Sequence, residues 1–237
     1  MTSKTPIYQI AIDGPVAAGK GTAAKKLATQ LDFLYVDTGA MYRTACLYFL
    51  EKQLPIDADH ETALAAALEK AALSLHNVTL NGQFFTQVTL DGRDVSARIR
   101  EQDVDANVSA AASLPAIRQL LVRKQQALAE ECSVVMEGRD IATKVLPNAT
   151  LKVFLTASLE VRAQRRFQQL HPTHPELTLA DIAAQIQARD DADTHRASDP
   201  LQVAPDATLC DTSTMTIDET VAKLLALFNE RLTTLNA

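Results

Sequence analysis

The sequence predicts an α/β fold: a five-stranded parallel sheet wrapped on both faces by helices, with a small three-stranded antiparallel insert and a lid. Three observations carry this expectation. Short apolar runs rich in β-branched residues alternate with longer stretches of helical periodicity. The first run ends in a glycine-rich turn that leads straight into a helical pattern. Residues 73–96 alone break the alternation, with two hairpin signals in place of a helix.

Each element follows from its residues. Ile7 to Asp13 is short, β-branched and closed by Asp-Gly, the pattern of a buried strand. A helix is expected over Gly19–Leu31, a second strand over Phe33–Asp37, and a second helix from Gly39 towards Gln53. Ser133–Glu137, Leu151–Leu155 and Thr208–Asp211 supply three more strands. The last helix runs from Ile217 to Leu235, with Val221, Leu224, Leu225 and Phe228 on one stripe. Right-handed crossovers then place ligand sites beyond the carboxyl ends of the strands. In the exceptional segment, Asn81-Gly82 and Asp91-Gly92 each suit a type I′ turn, while Phe84, Thr86, Val88 and Leu90 alternate with differently facing neighbours. The expected division is a core of residues 1–72 and 97–237, an insert at 73–96, and a lid at 168–179 within the core.

Totals set limits. A chain of 237 residues is long enough for one substantial core. Its net charge of −6 lacks the basic excess of a general nucleic-acid binder. No apolar stretch approaches a membrane span, and the N-terminal run is too short for a signal peptide. Cys46, Cys132 and Cys210 lack the paired, close spacing of a disulfide framework or zinc site, so reduced thiols in a cytoplasmic protein are expected. No exposed heptad argues for assembly, and a monomer is the expectation. His171 and His174 flank prolines in "LHPTHPEL" and read as exposed loop histidines rather than metal ligands.

The chemistry is concentrated in "GPVAAGKGT", Gly14 to Thr22. Gly-x-x-x-x-Gly-Lys between a strand and a helix is the phosphate-loop pattern. Its backbone N–H groups and the positive helix end cradle phosphate oxygens, and Lys20 adds a mobile positive charge. Gly21 separates Lys20 from Thr22, which removes the direct magnesium-ligand geometry of a hydroxyl next to the lysine. An Asn-Lys-x-Asp guanine reader is absent, so a GTPase is disfavoured. Arginines follow the strands: Arg43 in "DTGAMYR" after the helix start at Asp37, Thr38 and Gly39, and Arg139 with Asp140 in "EGRDIAT". Arg189, Asp193 and Arg196 stand at i, i+4 and i+7, one helix face. Arg162, Arg165 and Arg166 share another just before the Pro/His loop. Arginine suits phosphate because its planar fork binds two oxygens and keeps its charge.

Taken together and in order, "IDGPVAAGKGT", "DTGAMYR", "EGRDIAT" and "RDDADTHR" resemble the bacterial cytidylate kinases, nucleoside-monophosphate kinases of the phosphate-loop NTPase class. The resemblance covers nearly the whole chain, insert included. It implies transfer of the γ-phosphate of ATP to CMP or dCMP with magnesium. It places Gly14, Pro15, Ala17, Ala18, Gly19, Lys20, Gly21 and Thr22 on the ATP phosphates, with Arg162 and Arg166 on the lid and ATP side. It places Arg43, Arg139 and Arg196 on the acceptor phosphate and Thr38 facing the acceptor nucleotide. Ser109, Arg118 and Asp140 match base-reading positions, and Arg189 and Asp193 ribose contacts. Lys20, Arg139 and Arg196 are the expected catalytic charges. No residue is assigned as a direct metal ligand; Asp37 and Glu137 are the carboxylates that would guide magnesium through water.

The base assignment also has a chemical basis. Cytosine offers an N4 amino donor and N3 and O2 acceptors, which a carboxylate and an arginine or serine complement. Three positions depart from the family: Ala17 and Ala142 where glycine is usual, and Glu137 where aspartate is usual. On the residues alone, a kinase of UMP, AMP or shikimate stays open, as does a nucleotide-dependent switch with no acceptor. The second set of arginines argues against the switch, which needs no second phosphate site.

Overall fold

Ile10, Ala11 and Ile12 are wholly buried in succession, the run expected of a strand covered on both faces. The computed structural model describes residues 6–80 and 83–235, with backbone alone at 79–80 and 83–85. Along the chain come β1 (Gln9–Asp13), α1 (Lys20–Leu31), β2 (Leu34–Asp37), α2 (Thr38–Glu51), α3 (Glu61–Glu69), β3 (Leu73–Leu80), β4 (Gln83–Leu90) and β5 (Arg93–Asp94). A 3-10 turn at Arg98–Arg100 leads to α4 (Gln102–Ser113), α5 (Pro115–Glu131) and β6 (Val134–Gly138). A π turn at Ile141–Val145 precedes β7 (Leu151–Thr156), α6 (Leu159–Leu170), α7 (Leu179–His195), β8 (Thr208–Asp211) and α8 (Ile217–Leu235).

Five of the strands form one parallel sheet in the order β2-β6-β1-β7-β8. The register runs Ile10 beside Leu151 to Asp13 beside Phe154, and Val153 beside Thr208 to Thr156 beside Asp211. Parallel neighbours require long crossovers, and helices provide them. The expected five-stranded sheet and antiparallel insert are therefore both present.

The chain divides into two compact units. Among the described residues, one contains 6–7 and 32–134; the other contains 8–31 and 135–235. In the second unit α1 packs on α8. Small residues make a close approach possible: Ala23, Ala24, Leu27 and Ala28 are buried on α1, Val221, Leu224 and Phe228 on α8. Start signals mark α6 and α7. Ser158 accepts from Val161 N–H at the start of α6, and Thr178 with Asp181 makes a reciprocal capping box on α7.

In the first unit α2 is buried around most of its circumference, including Met41, Ala45, Leu47 and Phe49. It packs on α4 and on β4. The sheet β3-β4-β5 is antiparallel. Asp91 and Gly92, at φ 49° and 79°, form the two-residue turn joining paired Leu90 and Arg93. Both residues thus take the positive φ that a type I′ turn demands. The other hairpin signal, Asn81-Gly82, lies outside the described residues. Asn77 ties β3 to β2: its amide nitrogen donates to the Tyr35 carbonyl at 3.2 Å, and its oxygen accepts from Tyr35 N–H at 2.8 Å.

Gly14 is where the fold leaves no room. At φ 149° its hydrogen faces β7, and a Cβ there would lie 1.9 Å from the Leu155 carbonyl oxygen. Backbone cannot retreat as a flexible side chain can. Gly14→Ala is expected to cost about 3 kcal/mol or more, read as a lowered urea midpoint. An unchanged midpoint would mean that the approach of β1 to β7 is slack.

Candidate active site

The candidate site is built on the unit that holds β1, where the chain leaves the carboxyl ends of the strands. After Asp13 the loop turns through Ala17 at φ 59° and Gly19 at φ 90° into α1. Gly14, Pro15, Ala18 and Lys20 are buried, Val16, Ala17, Gly19 and Gly21 half-buried, and Thr22 exposed. Lys20 folds back over its own loop and donates from Nζ to the Pro15 carbonyl at 2.8 Å. Burial pushes its pKa down to about 7; the charge of Arg139 adds to this, while Glu137, Asp13 and Asp193 pull the other way. A buried ammonium so poised becomes fully charged when an anion arrives.

Asp13 holds the next segment. Its Oδ1 accepts from Ile141 N–H and its Oδ2 from Ala142 N–H, both at 2.8 Å. The π turn that follows Arg139 and Asp140 is therefore anchored to the end of β1. Arg139 donates from Nε to Asp193 Oδ2 at 2.6 Å and from Nη1 to the Gly138 carbonyl at 3.2 Å. The buried Asp140 carboxylate lies 3.3 Å from Arg196 Nη2. The partner of Arg139 is thus Asp193, on α7, and the partner of Asp140 is Arg196. Arg196 stands one residue past the end of α7, with extended ψ 144°, and donates to the Asp199 carbonyl. The expected common face therefore holds for Arg189 and Asp193, whereas Arg196 has left the helix. The reason is the turn at Asp199, with φ 47°, just before Pro200.

The α6 arginines differ in their surroundings. Arg162 is buried and donates from Nε to the Ala157 carbonyl and from Nη1 to the Val16 carbonyl, both at 3.0 Å, while pairing with Asp190. Arg165 donates to Thr212 Oγ1 at 3.1 Å and to the Thr212 carbonyl at 2.7 Å. Arg166 is half-buried on the same helix. His171 and His174 are exposed, as expected, and His171 stacks on Phe167 with ring centroids 4.8 Å apart.

The other unit places its candidates as follows. Asp37 caps α2, its Oδ1 accepting from Ala40 N–H at 3.0 Å, and its Oδ2 lies 3.3 Å from Arg100 Nη2. Thr38 is buried at the first position of α2. Arg43 donates to the Ile99 carbonyl at 3.3 Å and pairs with Asp105. Ser109 is exposed on α4. Arg118 is 1% exposed, which a solvated surface arginine would not be. It donates to the Ala112 carbonyl at 3.1 Å and lies 5.4 Å from the Tyr42 ring centroid. Burying a guanidinium is costly unless its donors and face are occupied, and here both are engaged.

Three residues were not singled out by sequence reasoning: Asp13 as a backbone clamp, Asp190, and Arg100 beside Asp37. Asp190 sits inside "ARDDADTHR", one position from Arg189, off the face that the i, i+4 spacing selects. Among the described residues, no three His, Cys, Asp or Glu gather to hold a metal ion.

A protein-family model described as cytidylate kinase matches residues 10–230. The cytidylate kinase of Desulfitobacterium hafniense (strain Y51) is 44% identical over 95% of this chain and 94% of its own length. That of Bacillus licheniformis is 42% identical over 94% of this chain and 96% of its own. Among solved structures, an uncharacterized protein from Eubacterium ventriosum superposes with a TM-score of 0.53 at 11% identity, over 95% of this chain and 99% of that one. That likeness extends to the fold alone.

The Asp13 carboxylate has a measurable signature. Burial raises its pKa from 3.8 to about 6, against the opposing pull of the Ile141 and Ala142 N–H groups. A carboxyl raised on folding binds its proton more tightly in the native state. Its contribution is therefore full below about pH 4 and lost as pH rises through 6, by about 3 kcal/mol. The unfolding free energy of the wild type minus that of Asp13→Asn should fall by this amount between about pH 4 and pH 7. A flat difference in urea titrations would remove burial as the dominant influence on Asp13.

Proposed function

Because the chain belongs to the cytidylate kinase family, we propose that it transfers the γ-phosphate of Mg-ATP to CMP or dCMP, giving CDP or dCDP and ADP. The observation that carries this reading is a second charged set beside the phosphate loop's own lysine: Arg139 with Asp193, and Arg196 with buried Asp140. A loop that bound nucleotide without an acceptor would need none of it.

In this reading an oxygen of the acceptor phosphate attacks the γ-phosphorus in line. A P–O bond forms to that oxygen as the bond to the β-phosphate bridging oxygen breaks, and ADP leaves. The acceptor phosphate is already ionised, so no general base is required. The protein supplies position and positive charge. Gly14, Pro15, Ala17, Ala18, Gly19, Gly21 and Thr22 hold the donor phosphates, and Lys20 spans donor and transferred group. Arg43, Arg139 and Arg196 neutralise the acceptor and the moving phosphoryl. Thr38, Arg189 and Asp193 contact the acceptor nucleotide, and Ser109, Arg118 and Asp140 read cytosine. Arg166 faces the ATP side of a lid around residues 168–179, where closure would keep water from the reaction.

Magnesium fits as an ion carried on the nucleotide. Glu137, at the carboxyl end of β6 and close enough to Lys20 to favour its charged form, and Asp37 are the carboxylates suited to holding its water shell. When bound it would neutralise charge on the phosphate oxygens. A monomer in the cytoplasm agrees with the composition; none of the described helices is long and apolar enough to cross a membrane.

The first test follows ADP formation with CMP, dCMP, UMP and AMP as acceptors. Strong turnover with CMP and dCMP is expected. In Asp140→Ala the ratio of kcat/KM for CMP over UMP should drop roughly ten- to hundredfold, the size of one lost base contact. The ratio matters because the variant also strips Arg196 of its partner. An unchanged ratio removes Asp140 as the cytosine reader.

Lys20 gives a second test. Its pKa near 7 means that part of the population is neutral at neutral pH, and a bound triphosphate restores the charge. Mg-ATP binding should therefore take up roughly half to one proton near pH 7.5 and almost none near pH 5.5. Calorimetry in buffers of different ionisation heat measures it, with Lys20→Met as control. Uptake that persists in Lys20→Met would assign the proton elsewhere.

A further inference from the structure

We infer that Arg162 and Asp190 are positioning residues for the phosphate loop, setting the peptide against which Lys20 is held; this rests on the reading that Gly14–Thr22 binds ATP phosphates. Val16 is gripped through both of its main-chain polar groups. Its N–H donates to Asp190 Oδ1 at 3.0 Å, and its carbonyl accepts from Arg162 Nη1 at 3.0 Å. The two side chains pair with each other, and Arg162 Nε is fixed in turn on the Ala157 carbonyl at 3.0 Å. Both are well shielded, with side-chain exposures of 9% and 13%.

The Pro15–Val16 peptide is the link to chemistry. Its N–H belongs to Val16 and meets Asp190; its carbonyl belongs to Pro15 and meets Lys20 Nζ at 2.8 Å. One planar group therefore stands between a carboxylate on α7 and the lysine. A rotation of that plane moves both hydrogen bonds together. Donation to a carboxylate also polarises the amide and strengthens its carbonyl as an acceptor. Apolar contact reinforces the grip: Val16 and Ala17 pack against Ala163 on α6 and Ile182 and Ile186 on α7. The next residue, Ala17, holds φ 59°, a conformation that a free alanine would leave. The loop thus keeps its shape because α6 and α7 hold it.

Arg162 in this account acts on ATP through the loop rather than by touching it. Its donors towards the Val16 and Ala157 carbonyls and its pairing with Asp190 are those of a bracket. Its direct contacts fall on the donor loop, so its loss should reach Mg-ATP binding well before CMP binding, which separates it from a general contribution to stability.

The experiment measures equilibrium binding of Mg-ATP and, separately, of CMP, with thermal unfolding alongside, for wild type, Asp190→Ala, Asp190→Asn, Arg162→Ala and the double Arg162→Ala/Asp190→Ala. Asp190→Ala should weaken Mg-ATP binding at least tenfold and CMP binding less than twofold. Asp190→Asn keeps an oxygen for the Val16 N–H and should recover most of the loss. Since the two residues act as a unit, the double variant should bind Mg-ATP about as weakly as the weaker single one. Asp190→Asn keeps the test readable should the alanine variants fold poorly. Equal loss for both nucleotides, no loss for either, or additive losses in the double variant would overturn the inference. A wild type that binds no Mg-ATP would overturn the functional reading itself, and this inference with it.

Discussion

A charge withdrawn from water must find an opposite charge or a hydrogen-bond donor, and the carboxyl edge of this sheet is organised by that demand. Asp13 finds two backbone N–H groups. Arg139 finds Asp193, Arg196 finds Asp140, and Arg162 finds Asp190. Pairs shielded in this way, with Asp140 and Arg162 buried and their neighbours half-buried, add little net stability, because desolvation offsets most of the Coulomb gain. They do fix geometry, since breaking one strands a charge. The segment after β6 and the end of α7 are therefore held where their partners are, and a site that handles several phosphate charges inherits guanidinium groups already fixed in place.

The same demand explains why Lys20 is not simply another cation. Its ammonium is buried and has a carbonyl, not a carboxylate, within hydrogen-bond reach. Glu137, Asp13 and Asp193 favour its charged form, yet burial and Arg139 outweigh them. An ammonium left under-compensated in this way interacts more strongly with an arriving anion than one already neutralised by a salt bridge. The fold thus holds at Lys20 an ammonium that its neighbours compensate only in part.

Much of this was legible in the sequence, and the parts that were not share a cause. β8 and α8 fall where composition places them, and β1, β2, β6 and β7 lie within two residues of the expected bounds, because local signals such as Asp-Gly and short β-branched runs set them. The phosphate loop is likewise a local pattern. Asp13 was visible only as the end of a strand, because its partners lie 128 and 129 residues away. Asp190 meets Val16 across 174 residues, and no periodicity links them. Arg118 is different: Ile117, Leu121, Val122, Gln125 and Ala129 are buried on α5 with it, so its place on the apolar face could have been read from helical spacing. The π turn at Ile141–Val145 has no residue signature; Asp13 anchors its start by accepting from the Ile141 and Ala142 N–H groups, which the turn itself leaves without partners.

Ala17 and Ala142 are two of the positions at which the resemblance leads one to expect glycine, and the structure gives each methyl group a place. Ala142 is buried and sends its N–H to Asp13, so its backbone is occupied within the protein. Ala17 costs about 1 kcal/mol or more for its left-handed conformation. Its methyl rests on the Ala163, Ile182 and Ile186 cluster, and burial of one such group returns about 0.8 kcal/mol. The two nearly cancel, so alanine is tolerated for a physical reason that depends on α6 and α7 being in place. Glycine would leave the loop free to take its shape alone, whereas alanine makes that shape conditional on the two helices. The donor loop of this chain is accordingly tied to the α6–α7 pair.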